Sequence, residues 1–172
     1  MAKPLVNCVG AFAQSVEVST VAQLKTLPSN TRGIIVPSNT CNDAVSYWVS
    51  LNQFSKLVFL RVGNDCFGQV AQLVITNVPT LKSVEIGSDS FTEVKHTWPA
   101  KKDTNRKFLL TDCAAVESLT IGPGSFADFG VFKLERVSSL RTIAIGSMTT
   151  FYESYNFFHA KFELQRSGGA EG

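Results

Sequence analysis

The chain carries little charge and no long apolar run. Asp, Glu, Lys and Arg make up 17% of its 172 residues, and the formal net charge is only +2. No apolar stretch approaches the ~20 residues that a membrane-spanning helix requires. Residues 1–14 hold one Lys and a short apolar stretch ending Ala11-Phe12-Ala13, which resembles a signal cleavage site, but the stretch is short and Asn7 interrupts it, so a secretory leader is the less expected reading. There is no N-x-[ST] glycosylation sequon, no G-x-S-x-G, no H-E-x-x-H, no phosphate-binding loop and no dinucleotide fingerprint. The common hydrolase, metalloprotease and nucleotide-binding motifs are therefore missing. His96 and His159 stand alone in the sequence, so neither is assigned a metal or catalytic role, and no cofactor is expected.

Cysteine is sparse and unpatterned. Cys8, Cys41, Cys66 and Cys113 show neither C-x-x-C nor a metal-ligand spacing. They read as free structural thiols, which suits a reducing compartment and favours the cytoplasm over the cell surface. Basic charge is also confined: Lys95, Lys101, Lys102, Arg106 and Lys107 face one acid, Asp103, within residues 95–107. A nucleic-acid binder spreads such charge along a face, so nucleic acid is not an expected partner.

What the chain does have is a repeat. Leu57-Val58-Phe59-Leu60-Arg61-Val62-Gly63 returns at Leu81–Gly87, Val116–Gly122 and Leu140–Gly146, with the glycines 24, 35 and 24 residues apart. The long interval is one period plus an insertion. With each glycine as position zero, apolar residues stand at −14, −12, −9, −6, −3, −1 and +4, where 27 of the 28 sites comply. The +4 position is Phe67, Phe91 and Phe126 and fails at Thr150, beside Phe151. A period in the twenties marks units that bury their apolar faces only against their neighbours.

The spacing predicts two short strands per unit. Positions −3 and −1 alternate toward one side, as do −14 and −12. The glycine is expected to permit a sharp turn, and the following Phe to fill its corner. Charges on neighbouring units support this register: Lys82, Glu117 and Arg141 would form an alternating row, and Arg61 would face Glu85.

Upstream, Gly33–Cys41 reads as a degenerate unit with Pro37 at the glycine position and Cys41 at the Phe position. Residues 1–30 form an N-terminal cap, with Val16, Val18, Val21 and Leu24 as its core. Downstream, Phe162-Glu163-Leu164 restarts the −14/−12 strand, and residues 167–172 form a polar tail. Ending partway through a unit leaves an open strand edge. This points to a fragment, a truncated product or a self-associating protein.

The unit L-x-x-Φ-x-I-G-x-x-S-F, followed by F-x-L-x-x-Φ-x-x-L, resembles the leucine-rich repeats of BspA-like proteins. Ser90-Phe91 and Ser125-Phe126 carry the S-F signature, whereas Cys66-Phe67 departs from it. The likeness covers residues 49–166 strongly and 31–48 weakly. It implies a mostly β, right-handed parallel solenoid over 31–166, with about four 24-residue coils, a degenerate first unit and an insertion at 95–107. It also implies a protein-interaction role without catalytic residues.

The expected function is thus a non-enzymatic scaffold that binds an unidentified protein. Its candidate binding residues are Phe59, Arg61, Ser83, Glu85 and Thr120 on the exposed strand face, with Trp98, Lys101 and Lys102 in the insertion. Phe59 is either an anchor or covered by the cap. The insertion is either a binding loop or a solvated excursion. The aromatic segment 151–159 either covers the last unit or makes an oligomer contact. Two alternatives stand beside this reading. One is a carbohydrate-active β-helix using Asp65 and Asp89, which align at +2. The other is a self-associating surface fragment joined through the open C-terminal end.

Overall fold

The alternating apolar positions of each unit become two strands. The computed structural model describes residues 15–43, 48–93, 103–146 and 155–165. In chain order its elements are β1 (Ser15–Glu17), α1 (Val21–Thr26), β2 (Gly33–Val36), β3 (Trp48–Ser50), β4 (Phe59–Val62), β5 (Gln72–Thr76) and β6 (Ser83–Ile86). They continue as β7 (Asp103–Thr111), β8 (Ser118–Ile121), β9 (Phe129–Glu135), β10 (Thr142–Ile145) and β11 (Lys161–Gln165). Two sheets result, ordered β1-β2-β4-β6-β8-β10 and β11-β9-β7-β5-β3, and every pairing is parallel. The protein is mostly β.

Equivalent positions of successive units are strand partners. Ile34, Leu60, Val84, Leu119 and Ile143 pair in that order, as do Val49, Leu73, Phe108, Phe132 and Phe162. The inward residues of both sheets form one hydrophobic cluster. Each strand is too short to bury an independent core. Position −9 adds Phe54, Val78 and Cys113, all fully buried.

The turn after −1 differs from the sequence expectation in its physical cause. Gly63, Gly87 and Gly122 are not in the left-handed region. They are glycine because the backbones of neighbouring units approach there: a Cβ on Gly87 or Gly122 would lie 2.6 Å from the preceding glycine's carbonyl carbon. In these three units the left-handed residues come later, whereas Gly146 of the last unit is itself left-handed at φ 73°. Asn39, Asp65, Asp89 and Gly124 at +2 have φ of 61, 57, 54 and 73°, and Cys41, Phe67, Phe91 and Phe126 at +4 have φ of 58, 59, 56 and 59°. Asn, Asp and Gly tolerate that region, whereas Phe is there against its preference.

Two columns hold the turn in place. Phe67, Phe91 and Phe126 stack with centroids 4.8 Å apart. Beside them, the Ser90 hydroxyl accepts from Cys66 N (3.1 Å) and donates to Gly63 O (2.9 Å). Ser125 repeats this, accepting from Ser90 N (2.9 Å) and donating to Gly87 O (2.6 Å). Each hydroxyl thus satisfies two backbone groups of the previous unit, which is why a serine can be fully buried here. Cys66 fits the same column, its thiol donating to Pro37 O at 3.1 Å. Its departure from the S-F signature is therefore chemical substitution within one role.

The column does not stop where the sequence register breaks. Thr150 and Phe151 lie outside the described residues, and Phe157 takes the next Phe position: it is buried, has φ of 51° and stacks on Phe126 at 5.0 Å. Within the aromatic segment 151–159, residues 151–154 lie outside the described residues, while Phe157 packs into the core.

At the N-terminal side, Val18, Val21 and Leu24 are buried as expected and Val16 is half-buried. Helix α1 starts with a capping box in which Thr20 Oγ1 accepts from Gln23 N (3.1 Å) and Gln23 Oε1 from Thr20 N (3.2 Å). It is flanked on one side by β3.

The insertion is shorter than expected. Residues 103–107, expected in the loop, belong to β7, and a bulge separates the pairs Asp103↔Phe129 and Lys107↔Val131. Arg106 sits two residues before Phe108 and faces the core with it. Its side chain is only 6% exposed. Nη1 lies 3.2 Å from Glu93, Nε 3.2 Å from Asp128, and Nη2 donates to the carbonyls of Gly68, Val70 and Phe91 at 3.4 Å. The guanidinium also lies 5.2 Å from the Phe129 ring centroid. Burial pushes the Asp128 carboxyl above its ordinary range, and the charge of Arg106 opposes that shift.

Candidate functional site

The outward residues of β4, β6 and β8 share one face. Phe59, Ser83 and Ser118 are strand partners in one row, and Arg61, Glu85 and Thr120 in the next. Five expected binding residues, Phe59, Arg61, Ser83, Glu85 and Thr120, are therefore brought together. Trp98, Lys101 and Lys102 lie outside the described residues.

Within this face, Arg61 meets Glu85 through two hydrogen bonds, Nε to Oε2 at 2.7 Å and Nη2 to Oε1 at 3.3 Å. The bond to Glu85 raises the Arg61 pKa further above its ordinary value. With the side chains 58% and 43% exposed, such a pair contributes only ~0–1 kcal/mol. Its role is positional: it fixes a cation and an anion side by side on a flat sheet.

Phe59 is half-buried for a local reason. Its ring lies over Gly33 of β2, where a Cβ would collide with it, and the Arg61 guanidinium carbon stands 5.9 Å from its centroid. Gly33 of the degenerate unit thus covers one side of the ring, while residues 1–14 of the expected cap lie outside the described residues. Beyond it, Ser118, Thr120, Thr142 and Ala144 give a shelf of small side chains. Such a surface offers an aromatic contact, one ion pair and hydroxyl groups, all held on strands.

The expected charge row is present as backbone neighbours: Glu117 N donates to Lys82 O, and Arg141 N to Glu117 O. Asp65 and Asp89 lie on the turn after the strand, with φ of 57 and 54°. In the next unit, Gly124 leaves the room that the Asp89 carboxylate occupies. Among the described residues, no three His, Cys, Asp or Glu side chains gather as a metal site requires. No described helix is long and apolar enough to cross a membrane.

Two apolar features stand out, of which only the second was expected from the sequence, as an open strand edge. One is a groove of about 290 Å³ between α1 and β3, lined by Val21, Leu24, Trp48 and Val49. Trp48 falls just before the first apolar −14 site, so alternation alone places it outward. The other is the far end of the two sheets. Val137 and Leu140, expected in the core, are only half-buried, and Ile143 is 48% exposed. Phe162 and Leu164 restart the −14/−12 strand as expected, but they are 52% and 67% exposed. Leu164, with Leu134, Val137, Leu140 and Ile143, borders a groove of about 350 Å³. The physical reason is the absence of a covering unit among the described residues.

No protein-family model, curated protein or solved structure matches the chain.

Proposed function

We propose that the chain is a right-handed leucine-rich-repeat solenoid of the BspA-like kind, acting as a non-enzymatic protein-interaction scaffold. The contact surface is the outer face of β4, β6 and β8. The carrying observation is the convergence of Phe59, Arg61, Ser83, Glu85 and Thr120 on three adjacent paired strands. Strand-borne side chains present a rigid surface with little ordering cost on binding. Trp98, Lys101 and Lys102 extend the proposal as an aromatic and basic contact for an acidic partner surface.

The experiment is site-specific photocrosslinking in extract of the native cell. A photoreactive side chain at Thr120 should capture a discrete protein, and Arg61→Glu should abolish that capture. The same probe at Thr76, outward on β5 in the other sheet, should not capture it. Equal capture from both sheets, or none from Thr120, contradicts the proposal.

A further inference from the structure

The exposed end of the two sheets is self-complementary. Strands β10 and β11 are the last in their sheets, so each has one edge with no strand partner among the described residues. Between them stand Ile143, Phe162 and Leu164, all about half exposed or more. Exposed edges beside apolar side chains are sites of strand addition.

On β11 the sequence reads Lys161-Phe162-Glu163-Leu164-Gln165, with Phe162 and Leu164 continuing the core columns and Lys161 and Glu163 on the other side. In an antiparallel pairing of β11 with itself centred on Phe162, Lys161 lies opposite Glu163 of the copy, and Phe162 opposite its own equivalent. Both Lys161–Glu163 contacts occur, because a two-fold axis generates each from the other. Within one chain Lys161 Nζ already lies 3.0 Å from Glu163, so pairing would produce a ring of alternating charge. Centring one residue later would set Glu163 against Glu163, which like-charge repulsion disfavours.

We propose that this end is a homodimer interface in which two copies meet end to end about a two-fold axis normal to the sheets. Their β11 strands pair antiparallel around Phe162, and Ile143 and Leu164 are covered by the second copy. A head-to-tail arrangement fits less well. The opposite end of the second sheet is β3, and α1 flanks that strand through Val21 and Leu24. The proposal does not depend on the reading of the β4–β6–β8 face. The end face spans residues 137–146 and 160–165, roughly sixteen residues, against 20–30 per side in a standard stable interface. The dimer is accordingly expected in the micromolar range.

Sedimentation equilibrium of the full chain from about 1 to 100 μM tests this. Wild type should show a monomer–dimer equilibrium, and Leu164→Arg should be monomeric. Lys161→Glu and Glu163→Lys should each weaken the dimer by about tenfold, and the double swap should restore it. Lys161 and Leu164 are exposed and Glu163 is half-buried on the outer side of β11, away from the core, so circular dichroism should show every variant folded. A monomer at 100 μM, growth beyond a dimer, or a dimer indifferent to the single charge reversals each overturns the proposal.

Discussion

Asn156 Nδ2 donates to the carbonyl oxygen of Gly122 at 2.7 Å. In the two preceding units the hydroxyls of Ser125 and Ser90 hold the carbonyls of Gly87 and Gly63 in the same way. An amide has replaced a hydroxyl, and the aromatic that follows it, Phe157, stacks on Phe126 as Phe126 stacks on Phe91. The turn chemistry therefore persists after its spacing has changed.

The serine column is predicted to be worth more than its small side chains suggest. Ser125→Ala leaves Ser90 N and Gly87 O buried without a partner, a cost of about 1–3 kcal/mol. Ser118→Ala, on the outer face, should change stability by less than about 0.5 kcal/mol. Urea unfolding of the two variants against wild type measures the difference.

Phe157 should behave as a core residue although its register is displaced. Phe157→Ala removes a buried ring and its stack, and should cost about 3–5 kcal/mol. Its neighbour Phe158 is 44% exposed, and Phe158→Ala should cost well under half as much. Equal unfolding midpoints for the two variants would show that Phe157 does not continue the column.

Arg106 is predicted to be structural rather than part of a basic binding surface. Arg106→Ala strands Asp128 and frees three carbonyls, and should destabilise by about 3–5 kcal/mol. Arg106→Lys should recover little, because an ammonium cannot reproduce the planar fork that reaches Glu93, Asp128 and the carbonyls together. Thermal unfolding of both variants checks this.

Buried thiols give the fold an alkaline limit. Burial pushes the Cys41 thiol from 9.0 up to about 12, and it raises Cys66 and Cys113 as well. A folded pKa above the unfolded one means that the stabilisation is complete below pH 9.0 and is lost as pH rises toward about 12. Between pH 8 and 10.5 the wild-type urea midpoint should therefore fall more than that of Cys41→Ala. In the native state at pH 8, Cys41, Cys66 and Cys113 should resist alkylation, and they should react once guanidinium unfolds the chain.

Much of this architecture was legible because it is periodic. Leu60, Val84 and Leu119 announce a shared column through their spacing alone, and Pro37 and Cys41 are recognisable as a glycine and a Phe position. Arg61 and Glu85 were matched by charge at a separation of one period. What escaped the reading has no periodic signal. Arg106 looked like one more base in a hydrophilic insertion, although its separation of two from Phe108 placed it on the inward side of β7. Phe157 was hidden because it follows Gly146 by 11 residues, where the other units place the Phe 4 residues after their glycine. Gly87 was expected at a sharp turn, but the close approach to Gly63 that demands a glycine there is a contact between units and carries no signal within one unit. The β4–β6–β8 face was legible as a row of positions, but the packing of Phe59 on Gly33 depends on a contact between units.

The most direct test is a methyl NOE experiment on selectively labelled protein. Leu60 should show cross-peaks to Val84, and Val84 to Leu119, while Leu60 and Leu119, two strands apart, should share none. A spectrum lacking the Val84–Leu119 cross-peak, or joining Leu60 directly to Leu119, would contradict the stacking of equivalent positions on which the whole account rests.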